Sequence, residues 1–124
     1  MHLTSVYAAI LALFFVGLSV RTIKLRRKGQ IAVGDIGHPE LQRAARVHAN
    51  FAEYVPLALL LIFMVEMRGA ATYWVHALAL CLLIGRISHA YGVSQINEVF
   101  KYRVFGMAMT FTCLITSALY LLVA

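Results

Sequence analysis

From Leu3 to Val20 the chain carries no charged side chain, and a basic run follows at once: Arg21, Lys24, Arg26, Arg27 and Lys28. A helix crosses the hydrocarbon core of a bilayer with roughly 20 mainly apolar residues. A stretch of that length therefore reads as a membrane span. It is not the pattern of a cleaved signal peptide, which carries its positive charge before the apolar run and a small-residue cleavage site after it. Three more spans follow. A glycine-rich connector, Gly29 to Gly37, leads to Pro39, a residue suited to the first turn of a helix. The spacing predicts helices over 3–28, 40–67, 71–91 and 101–124, with Gly69 closing the second and Gly92 near the end of the third. Short connectors leave no room for a domain boundary, so 1–124 reads as one all-α unit, an integral membrane four-helix bundle.

Composition agrees. Hydrophobic residues make up 62% of the chain and charged residues 13%, against about half and about a quarter in soluble domains. A soluble domain of this size would leave much of that apolar surface in water. The Lys and Arg total of 11 against 5 acidic residues gives a net charge of +6. In a soluble protein that excess would suggest nucleic acid; here its placement points to topology and not to nucleic acid. Every basic residue except Arg68 falls toward the loops after spans one and three. By the positive-inside rule those loops lie in the cytoplasm and both termini outside, as expected for a multi-pass protein of a bacterial inner membrane.

Helix two carries the densest polar set. Arg43, Arg46, Asn50 and Glu53 fall within roughly 80° of one another on a helical wheel, while His48 lies near 200° from Arg46. Ionisable groups inside a span cost a few kcal/mol each unless partnered. Polar residues on two faces mean that neither face rests comfortably on lipid. An oligomer with helix two near its axis covers both. Helix three adds Arg86 and His89 on one face, followed by Tyr91, and helix four opens with Lys101 and Arg103. Arg46 and Glu53 as a simple stabilising pair, with Asn50 as interhelical glue, would explain part of this. A basic cluster at one depth, with one intramembrane carboxylate, fits a pocket for a small anionic ligand better.

The segment Arg46-Val47-His48-Ala49-Asn50-Phe51-Ala52-Glu53-Tyr54-Val55-Pro56 resembles the helix-two motif of the MAPEG family, membrane-associated proteins in eicosanoid and glutathione metabolism. Gly85-Arg86-Ile87-Ser88-His89 is similar to the family's third helix. Gly34-Asp35, Glu66-Met67 and Tyr102-Arg103 resemble the short bacterial members. The resemblance implies a homotrimer with glutathione sites between neighbouring subunits. In that picture Arg46, Asn50, Glu53 and Tyr54 face one site, with Arg86, His89 and Tyr91, while His48 reaches the next. Arg26 or Arg27 completes the site from a neighbouring chain. Arginines suit the two carboxylates of glutathione, and Glu53 suits its ammonium.

The implied chemistry is thiol activation toward a lipophilic electrophile arriving from the bilayer, in a transferase or peroxidase. Arg103 matches the arginine that opens helix four in leukotriene-forming relatives and is expected to hold the thiolate, aided by the helix N-terminus. Lowering a thiol pKa of about 8.5 by two units takes about 2.7 kcal/mol of differential interaction. The pattern departs from the family at Val93, where some relatives have Tyr, and at Met107 and Ala108, where prostaglandin-forming members have Arg and Ser. Prostaglandin synthesis is therefore not expected. The family also includes a non-catalytic lipid-binding member, so a binding or scaffold role is the alternative. A small four-span antiporter fits poorly, because span one holds no carboxylate.

The remaining residues read as structural. Cys81 and Cys113 are expected to be small packing residues in lipid-facing or interhelical positions, with Ala77, Cys81 and Gly85 forming a small-residue row. His2 and His76 are expected to be solvated, and Glu66 and Arg68 to form an exposed pair of little consequence. Trp74 and Tyr73 suit an interfacial belt. Asp35, His38 and Glu40 lack metal-ligand spacing, so no metal is expected.

Overall fold

The computed structural model describes residues 2–124. Four helices follow one another: α1 (Leu3–Gly29), α2 (Pro39–Met67), α3 (Thr72–Ser94) and α4 (Phe100–Val123). Each is long and apolar enough to cross a membrane. α2 and α3 form the middle of the bundle; α1 packs on both, as does α4, and among the described residues α1 and α4 do not touch.

The helix ends follow local chemistry. Pro39 occupies the first turn of α2, where its missing N–H costs nothing. Gly69, at φ 81°, turns the chain out of α2. α1 ends without a left-handed glycine: Gln30 adopts that conformation at φ 55°, and the N–H of Ile31 donates to the carbonyl of Arg26 at 2.9 Å.

Gly92 does not end α3, which continues to Ser94. It is a packing glycine instead. A Cβ there would lie 2.7 Å from the Tyr102 Cβ and 3.1 Å from the Arg103 nitrogen. Gly85 and Gly106 complete the seam between α3 and α4. A Cβ on Gly106 would lie 2.5 Å from the Gly85 carbonyl oxygen and 2.7 Å from the His89 Cβ. Cys81, from the expected small-residue row, donates its thiol to the Met109 carbonyl at 3.2 Å. Cys113 is fully buried, and both cysteines are free.

The end opposite the basic loops corrects two expectations. Glu66 is not paired with Arg68. Its carboxylate accepts the backbone N–H groups of Leu3 at 2.5 Å and Thr4 at 3.0 Å. These are orphan donors at the start of α1, so Glu66 serves as a cap supplied from another helix. Arg68 donates to the Ala124 carbonyl at 2.9 Å. His76 is not simply solvated either, since its Nδ1 meets the Tyr7 hydroxyl at 2.8 Å.

Candidate functional site

The sequence-designated residues gather at the basic end, in three layers. The outermost lies where the N-terminal half of α2, the end of α3 and the start of α4 converge. There Arg43, Gln42, Arg46 and Arg103 line a cleft of about 310 Å³, with Val93 and Ile96 as its apolar side. Behind the guanidinium groups sits Glu98, from the loop between α3 and α4. Its side chain is only 2% exposed. Arg103 grips it with two hydrogen bonds, Nε to Oε2 at 2.8 Å and Nη2 to Oε1 at 2.7 Å. Arg43 donates from Nη1 to Oε1 at 2.6 Å and to the Val93 carbonyl at 3.2 Å. Burial pushes the Glu98 carboxyl up, but the hydrogen bonds and charges of Arg43 and Arg103 outweigh it, so it titrates below its ordinary value near 4.5. Arg103 stands in the first turn of α4, its guanidinium 5.7 Å from the centre of the Phe100 ring.

The second layer is on α2. Arg46 and Glu53 form an ion pair along the helix, each side chain about half exposed, at 52% and 53%. The third layer is inside the bundle. Arg86 is 1% exposed and donates from Nη2 to the Asn50 Oδ1 at 2.5 Å and from Nη1 to the Thr110 Oγ1 at 3.4 Å. It stacks over Phe51 at 5.8 Å. No carboxylate among the described residues neutralises it, and its Nε has no partner. His89, three residues on, is 3% exposed with its Nδ1 unpartnered. Asn50 thus serves Arg86 within the chain and is not free on the Arg46–Glu53 stripe.

Other expected site residues fall elsewhere. The Tyr54 ring sits edge-on to Phe111, and Tyr91, exposed, sits edge-on to Tyr102. His48 points away from this cluster: its Nε2 meets the Ser19 hydroxyl of α1 at 2.9 Å and its ring stacks on Phe15. Arg26 donates to the Gly34 carbonyl at 2.8 Å. Arg26 and Arg27 line a separate depression beside Ile31, so within one chain neither joins the cleft. Sequence reasoning missed Arg43 as a cleft residue and Glu98 altogether. Arg43 was visible on the α2 stripe, and Arg103 lies close to Glu98 in sequence, but nothing local brings the distant Arg43 to the same carboxylate.

An apolar groove of about 420 Å³ runs between α1 and α2, bounded by Leu11, Phe15, Phe51, Val55 and Pro56. It is on the opposite side of α2 from the arginine cleft.

Comparison with known proteins places this geometry. The MAPEG family profile matches residues 4–123. The chain belongs to the MAPEG family. It is 38% identical over 116 residues to the inner membrane protein YecN of Escherichia coli K12, an alignment covering 94% of this chain and 87% of YecN. The YecN protein of Escherichia coli O6:H1 matches to the same extent. No solved structure matches the chain significantly. MAPEG membership accounts for the four spans and the helix-two motif; the chemistry still has to be argued from the side chains.

Proposed function

We propose that this MAPEG protein is a multi-pass protein of a bacterial inner membrane that binds glutathione and activates its thiol toward lipophilic electrophiles. The observation that carries the reading is the convergence of Arg43, Arg46 and Arg103 on one cleft at the end where the basic loops lie. Three guanidinium groups suit a ligand with two carboxylates and a thiol that must ionise. Glu53, paired with Arg46, supplies an acceptor for the ligand's ammonium. With the basic loops cytoplasmic, the cleft opens to the compartment that holds glutathione.

The ligand thiol releases its proton to water, and Arg103 at the N-terminus of α4 stabilises the thiolate. The sulfur lone pair then forms the new bond to an electrophilic carbon, and the displaced electron pair leaves with the departing group. With a lipid hydroperoxide the thiolate sulfur would instead attack the terminal oxygen, breaking the O–O bond to give a sulfenic acid and an alkoxide that takes a proton from water. A second glutathione thiol would displace the sulfenic oxygen as water to close the disulfide.

Assembly belongs to the same proposal. Glu53 lies about 21 Å along α2 from Pro39 at 1.5 Å per residue, deep in the span, yet half exposed together with Arg46. A pair so placed against lipid is costly. A homotrimer that covers this face of α2 relieves the cost and brings a neighbour's Arg26 or Arg27 toward the site. The groove between α1 and α2, on the other side of α2 from the cleft, suits the acyl chain of a bound lipid.

Glutathione added to the protein in detergent should produce thiolate absorbance near neutral pH and conjugation of a generic electrophile. Arg103→Ala should abolish the thiolate signal. Arg46→Ala and Glu53→Ala should each weaken glutathione binding without unfolding. If wild type gives neither thiolate nor conjugate, the enzyme reading fails and the lipid-binding alternative stands.

A further inference from the structure

Glu98 presents an arrangement that the proposed chemistry does not by itself require. A single carboxylate, almost fully buried, ties together an arginine from α2 and an arginine from α4, and both arginines face the cleft in front of it. The bonds are specific in their use of edges. Arg103 spends Nε and Nη2 on Glu98, which leaves Nη1 free. Arg43 spends Nη1 on Glu98 and the Val93 carbonyl, which leaves Nη2 and Nε free. The acid side chain is buried, and both arginines that hold it line the cleft. An arginine on a flexible stem loses much rotamer freedom on binding a ligand, and one already forked onto a carboxylate has less left to lose.

We infer that Glu98 is a positioning residue for the proposed thiol chemistry: it holds Arg43 and Arg103 as a paired seat whose free edges receive one anionic group of the ligand. The inference rests on the glutathione reading above and extends it to Glu98. It also gives the α3–α4 loop a role, because the loop carries Glu98 to the two guanidinium groups that line the cleft. The charged and titratable groups around the seat are Arg43 and Arg46 from α2, Arg86 and His89 from α3, and Arg103 from α4. Glu98 is the sole carboxylate paired with Arg43 or Arg103 among the described residues.

Two simpler roles make different predictions. If Glu98 only pinned the loop, removing its charge would change stability and leave the chemistry alone. If it acted by quenching the charge of Arg103, removing it would favour the thiolate and lower the thiol pKa. Positioning requires the reverse, since an unanchored Arg103 holds the thiolate less well. A displacement of about 1 Å at such a group costs on the order of 10²-fold in rate.

The test compares wild type, Glu98→Gln and Glu98→Asp, purified in detergent, by the pH dependence of glutathione thiolate absorbance and by conjugation turnover. Positioning predicts that Glu98→Gln loses roughly 10- to 100-fold in turnover with its thiol midpoint moved up toward the free value of about 8.5. Glu98→Asp, which keeps the carboxylate, should recover part of both. An unchanged midpoint in Glu98→Gln, or one moved down, overturns the inference while leaving the glutathione reading intact. Should Glu98→Gln fail to fold, Arg43→Gln, which spares the Arg103–Glu98 fork, must move the midpoint up by a smaller amount, and no movement overturns the inference equally. Absence of glutathione binding by wild type overturns the functional reading and this inference with it.

Discussion

The α3–α4 seam and the α1–α2 groove are both contacts between helices adjacent in sequence, yet they are built in opposite ways. Along the seam, Gly85, Gly92 and Gly106 bring backbone against backbone with no room for a Cβ. Along the groove, Phe14, Phe15 and Phe51 stack with ring centres 5.3–5.7 Å apart and leave an apolar space open beside them. In lipid there is no hydrophobic drive to bring helices together, so close van der Waals contact must do it. Only the seam provides that contact at full density. Arg86, His89 and Arg103 stand on the two seam helices, and α1 contributes no side chain to the cleft. The proposed chemistry therefore leans on the closely packed seam, with Arg43 and Arg46 added from α2, and the open apolar volume between α1 and α2 lies apart from it.

Substitutions can break that contrast, and Gly106→Val should do so most strongly. Its side chain has only backbone and the His89 Cβ to displace, and overpacking of this kind costs about 3 kcal/mol, read as a fall in thermal midpoint in detergent with glutathione binding lost in parallel. Gly92→Ala, against Tyr102 and Arg103, should cost about 2 kcal/mol and disturb the thiolate signal more than its stability loss suggests. On the groove side, the partly buried Leu59→Ala should cost only about 1 kcal/mol, because lipid replaces water as the reference and only packing is lost. Gly17→Ala should raise stability by about 0.5 kcal/mol through helix propensity, since nothing lies within 4 Å of the added methyl. An equal loss at Gly106 and Leu59 would remove the distinction between the two contacts.

A last prediction, smallest in size, concerns pH. The Glu98 carboxyl titrates below its ordinary value in the folded chain. Its pairing therefore contributes fully above the unfolded value near 4.5 and is lost as pH falls through the lowered folded value. Glu98→Gln should flatten the stability profile in that acidic window and nowhere else.

Much of the architecture was legible in the sequence because its signals are local. Apolar length set the four spans, Pro39 marked the start of α2, and Gly69 marked its end. The α2 stripe was legible for the same reason, since 3.6-residue periodicity puts Arg43 and Arg46 on one face. What escaped depended on which helices become neighbours. Gly92 looks like a terminator to a local reading, and only the proximity of Tyr102 reveals its packing role. Glu66 looks like a surface acid until the start of α1 is found beside it. His48 was placed toward a neighbouring site through the family resemblance, and its within-chain contact with Ser19 was not visible in the sequence. Glu98 lay in a polar loop with no periodicity to draw attention to it.

The C-terminal end of α2 has a consequence for engineering the chain. Glu66, in its last turn, holds the amides of Leu3 and Thr4, and Arg68, its C-cap, holds the carbonyl of Ala124. One helix end thus clasps both ends of the described polypeptide at the same end of the bundle. A flexible linker joining those ends would reverse no helix, and the ring could be reopened in the Gly34–Gly37 connector. Such a circular permutant would start at α2 and finish with α1, so the arginine-bearing helices would be synthesised and inserted before the span they now follow.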